Sequence, residues 1–416
     1  MKKVLLVVLL LAVAGAAVFA FSRMKKDGTK VIEEKEEFEE QEEFEEEGIL
    51  DEKGKDAMKE MNEFGFKVFR AVQEGKDLFL SPMSLSMALS LVTGGAANQT
   101  EAAMMKTLGF EGWSKEEMGA YFRGLGKALL AADSTTTVEI ANSIWAHNDT
   151  ELKDEYVRWA DENYGSTVAE EDFDAPETLN KINGWCAEKT HDKITSILDQ
   201  LSAETKMLLL NALYFNGNWV DPFSYTYTGK FHALKGGAVE TKLMEDTRRV
   251  SYYEEESMQA VSLPYGNGSY SAVIILPREG ADFVKFAKAF DGAAWERIVN
   301  GLDRERVHLT VPKFKMEYEV NLNKTLKELG MSVAFSNGAD FSLLAKKSLK
   351  IGLVKQKTYV DFNEKGTEAA AVTAIAMLEA TALPIDPIEF RADRPFLLAI
   401  RERKTGAILF LGQKVE

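Results

Sequence analysis

Side chains that could do nucleophilic or metal chemistry are few and widely separated in this sequence. The four histidines, His147, His191, His232 and His308, lack the spacing of metal ligands. The single cysteine, Cys186, excludes a disulfide scaffold, and in its apolar helical stretch a small buried hydrophobe is more typical than a reactive thiol. The sequence therefore predicts no metal site and no cofactor.

One serine has a loosely catalytic context, because Gly330-Met331-Ser332-Val333-Ala334 resembles the G-x-S-x-G turn of esterases. That turn needs a strand before the serine and a helix after it. Here a helix comes first, so a helix C-terminus at Gly330 is the better interpretation. The sequence has no phosphate-binding loop, dinucleotide-binding glycine motif, C-x-x-C or H-E-x-x-H. We therefore expect a protein that is not an enzyme, with a serine esterase as the weakest alternative.

Charge and length narrow the class of protein further. The net charge of the 416 residues is −16, and residues 33–47 alone hold eleven Glu and one Lys. Nucleic-acid binding requires clustered Lys and Arg, so we expect no nucleic-acid partner. Hydrophobic residues make up 45% of the chain, which is enough for a large core.

The first residues are typical of a targeting segment. Lys2 and Lys3 precede an uncharged run over residues 4–21, whose length as a helix is about 27 Å, close to one bilayer core. We predict a signal peptide or membrane anchor over residues 1–22, and a charged, Glu-rich linker over residues 23–55. The length of the apolar run leaves cleavage and retention as an anchor both open. In either case we expect an extracellular protein, secreted or tethered to the cell surface.

From residue 56 the pattern is globular, with helices early and strands late. The apolar spacing predicts helices over residues 58–69, 84–91, 99–108, 115–130, 179–198 and 320–329. Strands are predicted over residues 138–147, 206–215, 260–264, 269–277, 307–314, 350–363 and 407–412, of which 206–215 has the continuous apolar run of a central strand. This arrangement indicates an α+β fold with a large sheet.

The stretch from Asn363 to Leu383 is unusual, because it is rich in Ala and contains no proline. Its composition alone would also suit a helix. Read with the period of a strand, residues 367, 369, 371 and 373 share one face, and all four are small. A strand with such a face can enter between two existing strands without clashing with the core beneath it.

This stretch and five further separated motifs support a resemblance to the serpin family over about 355 residues. The hinge of the reactive loop in inhibitory serpins, usually EEGTEAAAAT, resembles EKGTEAAAVT at residues 364–373. The other motifs are LSPMSL at residues 80–85, NALYFNGNW at residues 211–219, VPKF at residues 311–314, and DRPF at residues 393–396, followed by the closing strand ILFLG at residues 408–412.

The resemblance implies a fold and a mechanism. Serpins form one domain of three β-sheets and eight or nine helices with an exposed reactive-centre loop, here residues 364–390 of a domain over residues 56–416. A serine protease attacks the loop and forms a covalent acyl complex. The cleaved loop then inserts into the main sheet and traps the enzyme. Runner-up functions are those of non-inhibitory serpins, which act as carriers or chaperones.

The resemblance also implies site residues. The hinge comprises Glu364, Gly366, Thr367, Glu368, Ala369, Ala370, Ala371 and Thr373. The shutter, where the sheet strands part, comprises Ser81, Ser84, Asn211 and Gln356, and the breach, where the loop enters, comprises Trp219, Lys313 and Glu364. Gln356 stands where the family usually has a histidine, and an amide cannot titrate near neutral pH.

The reactive bond usually lies seventeen residues into the loop, which gives Ala380-Thr381. A count that slips by one gives Glu379, and earlier bonds would follow Leu378 or Met377. A small uncharged Ala suits elastase-like or subtilisin-like proteases rather than trypsin-like ones. We expect a monomer whose partner is the target protease. The helix over residues 106–127 mixes basic with acidic residues, so no glycosaminoglycan site is expected.

Overall fold

The computed structural model describes residues 48–202, 204–367 and 386–416. The predicted targeting segment and most of the predicted linker lie outside these ranges. No helix in the described part of the chain combines the length and apolarity needed to cross a bilayer. Its helices are α1 Glu52–Ala71, α2 Pro82–Gly94, α3 Asn98–Leu108, α4 Lys115–Ala131, α5 Asp154–Tyr164, α6 Pro176–Lys189, α7 Phe283–Ala289, α8 Gly292–Asn300 and α9 Asn323–Leu326.

A six-stranded sheet forms the platform of the molecule. Its strands are β2 Thr137–His147, β3 Thr167–Glu171, β4 Met207–Asn218, β10 Phe314–Asn321, β11 Leu353–Asn363 and β12 Gly366–Thr367. The spatial order is β10-β11-β12-β4-β2-β3, and β11 also pairs directly with β4. The β4–β11 pair is parallel, whereas β2–β4 and β10–β11 are antiparallel.

The other strands form a nine-stranded sheet that is bent into two parts. Its strands are β1 Leu78–Leu80, β5 Tyr225–His232, β6 Ala238–Glu255, β7 Met258–Tyr265, β8 Tyr270–Pro277, β9 Asp303–Pro312, β13 Ile388–Arg391, β14 Phe396–Glu402 and β15 Ile408–Lys414. The 18-residue strand β6 belongs to both parts, because it pairs with β7 at its end and with β5 and β9 before that. The predicted α+β fold with three sheets is therefore confirmed, with two sheets joined through β6.

Two apolar cores hold these layers together. The larger lies between the sheets and includes α2, in which every residue from Pro82 to Thr93 is buried. The smaller packs Ile182 and Cys186 of α6 against Trp145 of β2 and Leu210 of β4. Helix α6 therefore covers the outer face of the platform sheet, and Cys186 is the small buried hydrophobe expected from its surroundings.

Several element boundaries differ from the prediction. The helix predicted over residues 179–198 ends at Lys189, because His191 and Asp192 have positive φ values of 49° and 60°, which a helix cannot continue. The helix predicted over residues 320–329 begins later, at Asn323, because strand β10 continues to Asn321. The predicted strand over residues 307–314 is two strands that meet at Lys313. Helix α1 includes the last four residues of the predicted linker.

Candidate functional site: the seam between β4 and β11

The central feature of the platform sheet is the parallel seam between β4 and β11. Residues 208–213 of β4 pair with residues 353–358 of β11, and this register places Asn211 beside Gln356. On the other side of β4, Asn142 of β2 lies opposite Asn211. Three amide side chains therefore form one row across three neighbouring strands.

The four predicted shutter residues meet here, because Ser81 and Ser84 of the α2 start bond to Asn211 and Gln356 of the row. The Gln356 amide is buried, accepts from the Ser81 N–H at 2.9 Å and donates to the Ser81 carbonyl at 3.0 Å. It also donates to Asn211 Oδ1, while Asn211 Nδ2 donates to Ser84 Oγ and to Asn142 Oδ1. These hydrogen bonds connect the start of α2 to β2, β4 and β11. The polar row therefore stabilises the packing of the seam against α2.

Local sequence explains why α2 supplies two of these groups. Ser81 is the N-cap of α2, and its hydroxyl accepts from the Ser84 N–H at 3.3 Å. Pro82 follows at the first helical position, where its missing N–H costs nothing. The helix start is therefore fixed directly beneath the seam.

The three predicted breach residues lie at the end of the seam beyond Asn218. Trp219 is buried, donates from Nε1 to the Asn363 carbonyl at 2.9 Å, and stacks on Tyr265 with ring centroids 4.2 Å apart. Lys313 Nζ lies 2.7 Å from a carboxylate oxygen of Glu364. The hydrogen bond from Lys313, assisted by its charge, lowers the pKa of Glu364 below the usual 4.5 although partial burial opposes this.

The first residues of the predicted hinge are already part of the sheet. Strand β12 lies between β4 and β11, with Gly366 beside Asn218 and Thr367 beside Gly217. Thr367 is 2% exposed, and its hydroxyl lies 2.6 Å from the Tyr265 hydroxyl, so its side chain faces the core. Burial raises the pKa of Tyr265, which keeps this phenol protonated.

Gly366 is required where β12 begins. Its φ of 157° lies at the edge of the region that favours glycine, and a Cβ there would meet the Gly217 carbonyl oxygen at 2.0 Å. The rest of the predicted hinge, Glu368, Ala369, Ala370, Ala371 and Thr373, lies outside the described residues, as does the predicted bond Ala380-Thr381.

Lys357, next to Gln356, joins the seam to the segment that follows the covering helix α6. Its Nζ donates to the Ser196 carbonyl at 2.8 Å, in the segment between α6 and β4, and pairs with Glu317 of β10 at 2.7 Å. Burial lowers the pKa of Lys357, but the hydrogen bond and charge of Glu317 outweigh burial and raise it. The lysine is therefore charged at neutral pH, so a cation bridges β10, β11 and the α6–β4 segment.

The sequence prediction missed several residues of this site. Asn142 had a signal, since it is an amide in the middle of an apolar strand. Thr358, whose hydroxyl donates to the Phe79 carbonyl, and Tyr265, which contacts both Trp219 and Thr367, come from elements whose neighbours only the fold reveals.

The alternative nucleophile does not have the geometry of an esterase serine. Ser332 begins a short 3-10 turn, and its hydroxyl donates to the Lys327 carbonyl at 2.9 Å. A helical segment, not a strand, precedes it, and Gly330 has a φ of 125°, as expected for the end of a helix.

Comparison with known protein families decides the class of this protein. A model of the family described as "Serpin (serine protease inhibitor)" matches residues 59–416. The chain belongs to the serpin family. It is 33% identical to Iripin-3 of Ixodes ricinus over 366 residues, and this match covers 85% of this chain and 92% of Iripin-3. Serpins are generally inhibitors rather than enzymes, and they include both secreted and intracellular proteins.

Solved structures give the same fold. The thermophilic serpin Tengpin in its native state has a TM-score of 0.81 and 29% identity, covering 88% of this chain and 95% of Tengpin. Thyroxine-binding globulin, solved as a complex with thyroxine, has a TM-score of 0.78 and 27% identity, covering 86% of this chain and 98% of that protein. The structural neighbours therefore include a serpin solved in its native state and a serpin solved with thyroxine bound.

Proposed function

We propose that this serpin is an irreversible, suicide-substrate inhibitor of serine proteases. One observation carries the proposal: the hinge residues Gly366 and Thr367 lie between β4 and β11, and Thr367 faces the core. By strand alternation, a longer β12 would direct residues 369, 371 and 373 to the same side. All are small, so the loop can continue into the seam without steric conflict.

The chemistry belongs to the protease, and this chain supplies the substrate bond and the motion. The protease serine attacks the Ala380 carbonyl, the amine of Thr381 leaves, and an ester joins the enzyme to Ala380. The freed hinge then extends β12 along the seam. Inserting about 15 residues at ~3.3 Å each moves the attached enzyme by roughly 50 Å, which distorts its active site before water can cleave the ester.

The residues around the seam have separate roles in this proposal. The breach residues Trp219, Lys313 and Glu364 hold the point where the loop enters. The shutter residues hold β4 and β11 together until the hinge replaces their pairing. Insertion must therefore exchange the β4–β11 hydrogen bonds for bonds to the new strand, and the inhibitor is used once.

The proposed reactive bond points to elastase-like or subtilisin-like enzymes. The primary pocket of the protease would receive Ala380, which is small and uncharged. No Lys or Arg occurs between Gly366 and Glu389, which argues against trypsin-like targets. Cleavage after Glu379, Leu378 or Met377 would shorten the inserted strand and change the class of protease.

We place this inhibitor outside the cell, exported by the segment over residues 1–22 and either released or tethered through residues 4–21. Its partner is the target protease, joined to it covalently, and we propose a monomer without a bound nucleic acid or glycosaminoglycan.

The second candidate function is that of a non-inhibitory carrier or chaperone. The likeness to thyroxine-binding globulin supports it at the level of fold. A carrier does not need a loop that can enter the sheet, whereas the small hinge face and the start of β12 suit insertion. Inhibition is therefore the function we favour.

The deciding experiment mixes the protein with an elastase-like protease and looks for a complex that survives boiling in detergent. Ala371→Arg places a guanidinium on the inserting face and should convert the inhibitor into a substrate, because burying an unpaired charge slows insertion below ester hydrolysis. Ala370→Arg, on the opposite face, is the matched control and should still form complexes.

Two outcomes would contradict the proposal: no complex with the unmodified protein, or equal complex yields for both variants. Mass spectrometry of the C-terminal peptide released from the complex tests the bond. A peptide that begins at Thr381 supports it, and any other N-terminus rejects it.

A further inference from the structure

Three side chains from different elements converge where β2 ends and the chain approaches α6. His147 is the last residue of β2, and Asp172 and Asp174 lie between β3 and α6. A ring nitrogen of His147 and one carboxylate oxygen from each aspartate lie within 4.8 Å of one another. Two ligand atoms that each lie about 2.2 Å from one ion are at most about 4.4 Å apart, so a small shift of the two exposed carboxylates would be enough to seat an ion between the three side chains.

The His147 ring is held from two sides. Its Nδ1 lies 2.8 Å from Asp149 Oδ1, and the Asp149 N–H lies 3.2 Å from the same nitrogen. The ring makes an edge contact with buried Phe173, with centroids 5.6 Å apart. The side chain is only 12% exposed. When Nδ1 carries the ring proton and donates it to Asp149 Oδ1, the lone pair of Nε2 is available for a ligand, as in the carboxylate–histidine–metal arrangement.

The charges around this cluster are unbalanced. Asp149 pairs with Lys206 at 2.9 Å, and Glu171 pairs with Lys181. Asp172 and Asp174, by contrast, make no ion pair within residues 48–202, 204–367 and 386–416; Asp172 Oδ1 accepts from the Asp174 N–H at 3.0 Å, and one oxygen of each carboxylate lies within 4.8 Å of the other. Two adjacent carboxylates repel, so a cation between them would remove an unfavourable interaction.

We propose that His147, Asp172 and Asp174 bind a first-row divalent metal ion such as Zn²⁺. An imidazole nitrogen with two carboxylate oxygens suits Zn²⁺, whereas Ca²⁺ and Mg²⁺ prefer sets made of oxygen alone. Three protein ligands leave the remaining coordination positions to water. The ion would join the end of β2 to the segment that starts α6, the helix that covers the seam.

This proposal departs from the expectation of no metal site. Asp172 and Asp174 lie 25 and 27 residues after His147 in the sequence, so no local spacing links the histidine to the aspartates. Only the parallel β2–β3 pairing, which places His147 beside Glu171, brings them together.

The test is a calorimetric titration of the untagged, EDTA-treated protein with ZnCl2. We expect one site per chain with micromolar or tighter affinity, and a higher melting temperature when it is filled. Asp174→Asn and His147→Gln should weaken binding at least about tenfold, and Asp149→Asn by about 10–100-fold, because it orients the histidine. Glu177→Gln removes an equal charge from the first turn of α6 and should leave the affinity within about twofold.

Absence of saturable binding below about 1 mM Zn²⁺ would overturn the proposal, and so would equal affinity in the wild type and Asp174→Asn. Melting curves without metal show whether each variant is folded, and Asp174, which is exposed, keeps the test valid if His147→Gln fails to fold. No protease enters this experiment, so its result is independent of the proposed inhibition.

Discussion

Replacing Gln356 with Met tests whether the shutter hydrogen bonds hold the seam closed. Methionine has nearly the same length and volume as glutamine but cannot make the three amide hydrogen bonds, so packing changes little while bonding is lost. Gln356 is 1% exposed, and water cannot easily replace the missing partner.

The cost follows from which groups lose their partners. The Ser81 carbonyl keeps a second hydrogen bond from the Leu85 N–H at 3.1 Å. The Ser81 N–H and Asn211 Oδ1 each lose the bond that Gln356 provides. Two buried unsatisfied groups cost about 1–3 kcal/mol each, so the native state should lose about 2–6 kcal/mol. At about 2.1 cal/mol/K per residue over about 370 residues, this lowers the melting temperature by roughly 3–8 °C.

The assay is thermal unfolding at one fixed scan rate for all variants, because the apparent melting temperature of a protein that unfolds irreversibly depends on that rate. Gln73→Met is the matched control, since both amide atoms of Gln73 are buried without a hydrogen-bond partner in the described residues. The same substitution there removes no bond and should leave the transition unchanged or raise it. If Gln356→Met melts no lower than Gln73→Met, the shutter bonds do not stabilise the seam.

Two further predictions concern the breach and the loop. Because the folded-state pKa of Glu364 lies below 4.5, its pairing with Lys313 stabilises the protein above that pH and is lost as the pH falls through the lowered pKa. The difference in melting temperature between wild type and Glu364→Gln should therefore shrink from pH 6 to pH 3, and a constant difference would exclude the ion pair as its cause. A single protease cut within residues 377–383 should raise the melting temperature by tens of degrees, because the freed loop can complete the sheet. An unchanged melting curve after a clean cut would show that no strain is stored.

The elements with a strong apolar period were predictable from the sequence. Helix α2 and strand β4 are buried almost throughout, so their apolar character is strong, and each was predicted with its ends within three residues of the observed bounds. Strands β5 and β6 were missed because much of their length is exposed and carries polar or charged side chains. Their position depends on pairing with distant strands, which no local pattern encodes.

The residues of the candidate site also fall into two groups, those predictable from the sequence and those visible only in the structure. The family motifs led to Asn211, Gln356, Trp219 and Lys313, and the structure brings each into its expected cluster. Neither Tyr265 nor Asn142 belongs to such a motif. Both residues join the site through strand register. Tyr265 forms a β-bridge with Trp219, and Asn142 pairs with Asn211. Register follows from the complete sheet and is therefore visible only in three dimensions.

The position of β12 determines whether the proposed loop insertion would have to start a new strand or extend an existing one. A strand that enters a closed sheet from solution has to nucleate, and nucleation fixes several residues before any bond repays the lost entropy. Here Gly366 and Thr367 are already bonded to both neighbours. The proposed insertion would then extend a strand that already exists: each added residue would exchange a β4–β11 contact for contacts with both strands. At Asn211 and Gln356 this exchange would also break side-chain hydrogen bonds, so we expect its slowest step at the polar row.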